Sequence, residues 1–485
     1  MGKILPITNV LGLMLMVFSL TLLLPIATSF WYQDGTAWEF LEAMIITLGG
    51  GYLMWLLTRR FKRELKARDG FLLVTLVWTV MAAFATIPLM DELHGLSFTD
   101  AYFETMSGLT TTGATVLVGL DSLPPAINLW RHELNWLGGM GIIVLAVAVL
   151  PLLGIGGRQL YKAETPGPMK DSQLTPRITE TAKNLWLVYF GITVACILAL
   201  RWAGMSWFDA VCHAFSTMGL GGFSTHDASI GYFNSPLIEF VLIVFMLIAG
   251  MNFATHFLAL RGRSLRPYFS DPEAKAFLLL VLGSCLGIGF YLWWMGAYDN
   301  FWTALRHASF NLVSIATDCG FASVDFNQWP VFAPLWMLFL SCVSVSSGST
   351  GGGIKMIRTL LVFKQGWREM LLLIHPRAVV PVKVGDHAIA NKVVFAVQGF
   401  IFLYFYSVLA LTFLLLLSGL DFLSAFSAVI ACINNAGPGL NQVGPATNYG
   451  VLSDFQTWVL SFTMLLGRLE LFTLLVLFTP AFWRK

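Results

Sequence analysis

Charge is what this sequence lacks most. Lys, Arg, Asp and Glu make up 12% of its 485 residues while hydrophobic residues make up 57%, against about 25% charged and roughly 45–50% apolar in an ordinary soluble domain. So small a polar surface cannot cover a soluble enzyme of this size. It is equally unlike a disordered chain, which needs low hydrophobicity and high charge. The formal net charge of +2 is too small to suggest a nucleic-acid partner. Cysteine is also scarce. Cys196, Cys212, Cys285, Cys319, Cys342 and Cys432 are scattered with no CxxC pair, which argues for small buried hydrophobes over a disulfide framework or zinc site. HExxH and nucleophile-elbow motifs are missing, so no enzyme is expected. The run GSTGGGIK fails the phosphate-loop pattern, because Ile354 precedes Lys355 and Met356 follows it.

What is abundant is apolar sequence, with a mean hydropathy of +0.73. A spanning helix needs about 20 such residues, so the chain reads as an all-α polytopic membrane protein. Residues 1–32 hold an apolar run too long for a signal peptide, giving an uncleaved first span; residues 38–58 give a second. Basic residues then recur in clusters: the stretch RRFKRELKARDG after Thr58; Arg158, Lys162, Lys170, Arg177 and Lys183; Arg261, Arg263, Arg266 and Lys275; Lys364, Arg368, Arg377, Lys383 and Lys392; and the terminal Arg484-Lys485. The positive-inside rule puts all of these, and both termini, in the cytoplasm. Asp34, Asp91, Glu92, Asp121, Asp227, Asp299 and Asp325 mark the opposite face, where Arg131 is the exception.

Between basic clusters there is too much chain for two simple helices. Residues 71–89 span once and 128–153 span back, which leaves the semi-apolar piece 97–118 to enter and turn back. Such non-helical backbone at membrane depth is tolerated where it lines a wet cavity or is buried in protein. The plan recurs four times. DAYFETMSGLTTTGAT, DAVCHAFSTMGLGGFS, HASFNLVSIATDCGFA and SAFSAVIACINNAGPG align without gaps on Gly113, Gly222, Gly320 and Gly437. Twelve residues earlier stand Ala101, Ala210, Ala308 and Ala425, and six residues earlier Ser107, Ser216, Ser314 and Ala431. Asp100, Asp209, His307 and Ser424, thirteen residues before the glycines, include three good helix N-caps. Each piece reads as a helix of about ten residues ending at a glycine turn. The expected architecture is an N-terminal helix pair (1–69) and four span–pore helix–span repeats (70–179, 180–269, 270–389 and 390–485) around a pseudo-fourfold central pore.

Four re-entrant loops meeting on an axis would offer backbone carbonyls to a monovalent cation in place of its hydration shell. Glycine suits the narrowest point. The carbonyls expected beside it are those of Thr111 and Thr112, Leu220 and Gly221, Asp318 and Cys319, and Asn435 and Ala436. The alternative for each glycine is a plain helix C-cap. The span after the third loop is interrupted by SSGSTGGGIK, in which Gly348, Ser349, Thr350, Gly351, Gly352, Gly353 and Lys355 cannot continue a helix. This segment is a candidate gate beneath the filter. Arg468, inside the last span with Glu470 nearby, is a second candidate, since an intramembrane charge by default faces a wet interior. Anchoring to Glu470 or to a loop carbonyl is its alternative. His213 and His307 read as structural.

LTTTGATVLVGLD, FSTMGLGGFSTHD, GSTGGGIK, HPRAV, NNAGPGL and GRLELFTLL closely resemble the TrkH-type potassium uptake proteins of the wider Trk/Ktr/HKT group. The resemblance covers essentially the whole chain. It implies K⁺ as the transported ion with no organic cofactor, four filter glycines selecting potassium, and the intramembrane loop at 346–355. It also implies a homodimer in the lipid of the bacterial inner membrane and a cytosolic nucleotide-binding ring of TrkA type that controls opening. Asp318 departs from the small or hydroxyl residue usual in the family. Its carboxylate is expected either to accept N–H bonds that brace the third loop or to face the outer vestibule. A symporter coupled to H⁺ or Na⁺ on the same scaffold is the alternative function.

Overall fold

The computed structural model describes residues 4–61, 63, 65–141, 178–385 and 387–484. The basic cluster Arg158, Lys162, Lys170 and Arg177, and the span anticipated over 128–153 from residue 142 onward, lie outside the described residues. Among those described, six helices are long and apolar enough to cross a membrane: Leu5–Tyr32, Ala37–Thr58, Arg68–Glu92, Ala182–Trp202, Pro272–Trp294 and Asn391–Leu417. The first two are the N-terminal pair, joined at one end by Asn9, which donates to the Thr58 hydroxyl at 3.2 Å. Each of the other four opens one repeat.

A short buried helix follows in every repeat: Phe98–Leu109, Trp207–Gly219, Phe301–Ala316 and Phe422–Asn434. These are the four pore helices. Their N-caps are Ser97, Ser206, Asn300 and Asp421, whose side chains accept from Asp100, Asp209, Trp302 and Ser424 N–H. The expectation that Asp100, Asp209 and Ser424 cap these helices is therefore corrected by one turn. They stand at the third helical position, where Asp100 and Asp209 accept the hydroxyl protons of Ser97 and Ser206 at 2.8 and 2.7 Å. An acidic residue there complements the capping serine and the positive helix end. His307 lies inside its helix.

The second helix of each repeat does not run through. In the first, Pro125–Gly139 ends in a turn with Gly141 at φ 73°. In the second, Pro236–Ala249 meets Phe253–Gly262 at 95°. In the third, Phe332–Val343 gives way to irregular backbone over 344–355 before Met356–Ile374. In the fourth, Asp454–Arg468 meets Phe472–Phe478 at 110°. The break after the third loop is thus as expected. The single last span is corrected: Glu470 and Leu471 both take positive φ, at 51° and 53°. Among the described residues, one two-stranded hairpin, Lys383–Val384 with His387–Ala388, interrupts the helical architecture. All six cysteines are buried.

Candidate functional site: a ring of four loops and the segment beneath it

The four loops share one backbone path. Thr111, Leu220, Asp318 and Asn435 take left-handed φ values of 57°, 54°, 64° and 59° and turn the chain out of its pore helix. The next amide in each, of Thr112, Gly221, Cys319 and Ala436, bonds back to the carbonyl of Ser107, Ser216, Ser314 or Ala431 at 2.8, 2.9, 2.8 and 2.7 Å. This is a helix C-terminal motif whose left-handed position is filled by a residue with a side chain. Such residues are uncommon there and the conformation carries strain of order 1–3 kcal/mol each. The plain C-cap reading of the glycines is thereby corrected, because the cap stands two residues earlier.

Gly113, Gly222, Gly320 and Gly437 have φ of 79°, 66°, 92° and 85°, and each faces the following loop. A Cβ built on Gly113 would lie under 3.0 Å from the Gly221 carbonyl oxygen. On Gly222 it would meet the Cys319 oxygen in the same way, on Gly320 the Ala436 oxygen, and on Gly437 the Thr112 oxygen. The contacts run one to two to three to four and back to one, so the loops close a ring. Among the described residues, no hydrogen bond ends on the carbonyl oxygens of Thr111, Thr112, Leu220, Gly221, Asp318, Cys319, Asn435 or Ala436, although all eight residues are buried. Buried carbonyls are nearly always paired; eight without a donor around one ring suit a cation. On one side of the ring a cavity of about 80 Å³ is lined by all four glycines together with Arg131, His226 and Asp227.

Each pore helix also holds the chain just beyond its glycine. Glu104 accepts from Thr115 Oγ1 at 2.9 Å and from Val116 N–H at 3.0 Å. His213 Nε2 pairs with Ser224 Oγ at 2.9 Å. Asn311 exchanges bonds with Ser323, and Ser427 Oγ accepts from Leu440 N–H at 2.8 Å. Glu104, His213 and Asn311 all stand nine residues before their glycine, a register that sequence reading passed over. Arg131 completes the first brace. Its Nε lies 2.8 Å from Glu104 with both side chains buried, and its guanidinium sits 4.4 Å over the Phe223 ring. Outside the spanning helices, His226 bridges Asp121 and, at 3.4 Å, Asp209. Burial works against its charged form, but the bonds to Asp209 and Asp121 outweigh this and raise its pKa above the ordinary 6.5.

The interrupted segment packs against the ends of the pore helices. The Ser344 hydroxyl donates to Ala316 O, and the Thr350 hydroxyl donates to Met218 O at 2.9 Å. A Cβ on Gly352 would collide with Asn434 O. Gly348 O accepts from Phe253 N–H at 3.1 Å, Ser349 Oγ turns back on Ser346 O, and the Lys355 ammonium donates to Gly351 O. Gly353 has φ 71° against the Ser341 carbonyl. Arg468 reaches across to join this segment to the first repeat. It donates to Thr350 O at 2.9 Å, Thr111 Oγ1 at 3.1 Å and Gly139 O at 3.1 Å, and also to Gly138 O. The loop-carbonyl contact anticipated for it is present. Glu470 pairs with Arg358. Asp318 does not face the outer vestibule: it is fully buried and does not line the cavity. Its carboxylate faces Gly352 N–H and Lys355 of the segment below.

Glu273, missed in the sequence, opens the first span of the third repeat. It is buried and accepts from Ser347 and Ile357 backbone N–H and from the Ser347 hydroxyl. Its signal was hidden, since an acidic residue in a first helical turn is ordinary.

The TrkH family, described as a cation transport protein, matches residues 37–485. The Trk system potassium uptake protein TrkH of Halomonas elongata is 50% identical over 485 residues, and that of Salmonella typhimurium 49% identical over 480, each with 99% of both chains covered. The crystal structure of the potassium transporter TrkH from Vibrio parahaemolyticus superposes with a TM-score of 0.90 at 46% identity, covering 99% of this chain and 100% of that one.

Proposed function

Since the chain belongs to the TrkH family of cation transport proteins, we propose that it takes up K⁺ through the ring of four loops, as a conducting pore in the bacterial inner membrane with both termini in the cytoplasm. The observation that carries this reading is the closed circuit of glycines against carbonyl oxygens. An ion entering the cavity above the ring exchanges water for the oxygens of Thr112, Gly221, Cys319 and Ala436, and of the residues before them. Each glycine lets the neighbouring oxygen approach. Braces behind the loops hold those oxygens at a spacing that favours K⁺ over the smaller Na⁺, since a held ring cannot contract at no cost.

Below the ring, residues 346–355 are the gate. They fill the space between three pore-helix ends, and Arg468 spans the remaining side with a positive charge that raises the barrier to a cation. Opening withdraws the segment and Arg468 together. The protein works as a homodimer with a cytosolic nucleotide-binding ring of TrkA type, which docks on the cytoplasmic surface and biases the gate.

The test is ⁸⁶Rb⁺ uptake into proteoliposomes, with K⁺ or Na⁺ as competitor, beside Gly113→Ser. A serine Cβ at φ 79° against the Gly221 oxygen forces the first loop outward. K⁺ alone should compete in the unmodified protein, and Na⁺ should compete as well in the variant. Equal competition by Na⁺ in the unmodified protein would reject the filter. Absence of flux unless an H⁺ or Na⁺ gradient is imposed would favour coupled transport.

A further inference from the structure

The gate segment has a neck, and one side chain closes it. Glu273 Oε1 accepts from Ser347 N–H at 2.6 Å and from Ile357 N–H at 3.1 Å, and Oε2 accepts from the Ser347 hydroxyl at 2.9 Å. Ser347 stands near the start of the irregular segment and Ile357 in the first turn of the helix that follows its end, so a single carboxylate oxygen ties the two sides of the segment together. The carboxylate is buried at 6% exposure and belongs to another element, the span Pro272–Trp294, whose own cap is Asp271. Glu273 is therefore not needed to start its helix. From this geometry we infer that Glu273 is the latch of the gate: a positioning residue that keeps the segment folded under the ring and is released when the segment withdraws.

The chemistry suits a latch. Hydrogen bonds to an ionised carboxylate are about twice as strong as neutral ones, so two from backbone N–H and one from a hydroxyl on one group hold the closed state firmly. Two of the three are made to Ser347 at the start of the segment and the third to Ile357 in the first turn of the helix that follows it, and none is covalent, so they can be broken together. A second contact keeps the neck in register: Met356 N–H bonds to Val345 O at 2.8 Å. Without Glu273 the backbone N–H groups of Ser347 and Ile357 lose their acceptor, and the closed state is weakened relative to any state in which water reaches them.

This inference rests on the gate reading above, and the experiment separates the two. Regulator-free ⁸⁶Rb⁺ flux is measured for Glu273→Ala, for Glu273→Gln, and for a variant lacking residues 349–352, each with K⁺ and Na⁺ as competitors. Glu273→Ala should raise flux about tenfold or more while leaving the ratio of K⁺ to Na⁺ competition unchanged, because the ring is not touched. Glu273→Gln keeps an acceptor oxygen and should recover most of the closure. The shortened loop should raise flux whatever stands at 273. High flux in the shortened loop with unaltered flux in Glu273→Ala would overturn the latch and spare the gate. Unaltered flux in the shortened loop would overturn both. Loss of K⁺ discrimination in Glu273→Ala would also overturn the latch, as the sign of general collapse. Should Glu273→Ala fail to fold, Ser347→Ala removes the hydroxyl bond alone; a rise of about threefold is expected, and no rise would overturn the proposal.

Discussion

The four ring glycines are required by their neighbours more than by their own turns. In each loop the turn out of the helix is made two residues earlier, by Thr111, Leu220, Asp318 or Asn435, and the glycine is where the next loop's carbonyl approaches. Arg468 is the other residue whose role is set by what surrounds it, since its guanidinium holds carbonyls from the first and third repeats. Arg468→Ala should speed regulator-free ⁸⁶Rb⁺ flux several-fold, by removing the positive charge and the tie to Thr350 at once; Arg468→Lys keeps the charge but loses the forked geometry and should fall between. Flux in the alanine variant equal to that of the unmodified protein would remove Arg468 from the gate. His226 gives a prediction in pH. Its folded-state pKa is raised, so the stability it contributes is complete below the ordinary 6.5 and fades as pH rises through the raised value. The gap in thermal midpoint between the unmodified protein and His226→Gln should therefore shrink as pH is increased from below 6.5. A gap that widened would contradict the bridge to Asp121 and Asp209.

At the scale of elements, the pore helices were legible in the sequence because their glycines and alanines recur in register in all four repeats and their serines in three. Their starts were misplaced by one turn, because Asp100 and Asp209 look like caps while Ser97 and Ser206 perform the capping. The breaks were legible only in part. Glycine-rich 348–353 announces itself, whereas Leu469–Glu470–Leu471 is apolar around one charge and its bend depends on distant contacts, above all the pairing of Arg358 with Glu470. The Glu104–Arg131 brace was hidden for the same reason, because its partners lie on separate helices. Removing one member of so buried a pair strands the other's charge. Glu104→Ala or Arg131→Ala should lower stability by about 3–5 kcal/mol, and replacing both with apolar residues of similar volume should cost less than either single change. Thermal unfolding in detergent checks this, and additive losses would contradict the pairing.

For the whole molecule, the sequence carried the fourfold plan but not its circular order or its depth. Among the described residues every repeat supplies one unbroken span, one pore helix and a second helix that stops short, and Arg468 joins the ends of two of these by holding Thr350 and Gly138. The proposed path is thus narrow at two levels: the ring, and the segment packed against the pore-helix ends below it. Asp318 lies between them, since it turns the third loop above and its buried carboxylate faces Gly352 and Lys355 of the segment beneath. That proximity was invisible in the sequence, where Asp318 and Lys355 are far apart and belong to different motifs.

The central claim is that K⁺ crosses the closed ring as a selected, uncoupled current. It is tested most directly by the reversal potential of the purified protein in a planar bilayer, with the K⁺, Na⁺ and pH gradients varied one at a time. The account predicts a potential that follows the K⁺ gradient by about 59 mV per tenfold change and is nearly indifferent to Na⁺ and pH. A potential that tracks the Na⁺ or H⁺ gradient would contradict it.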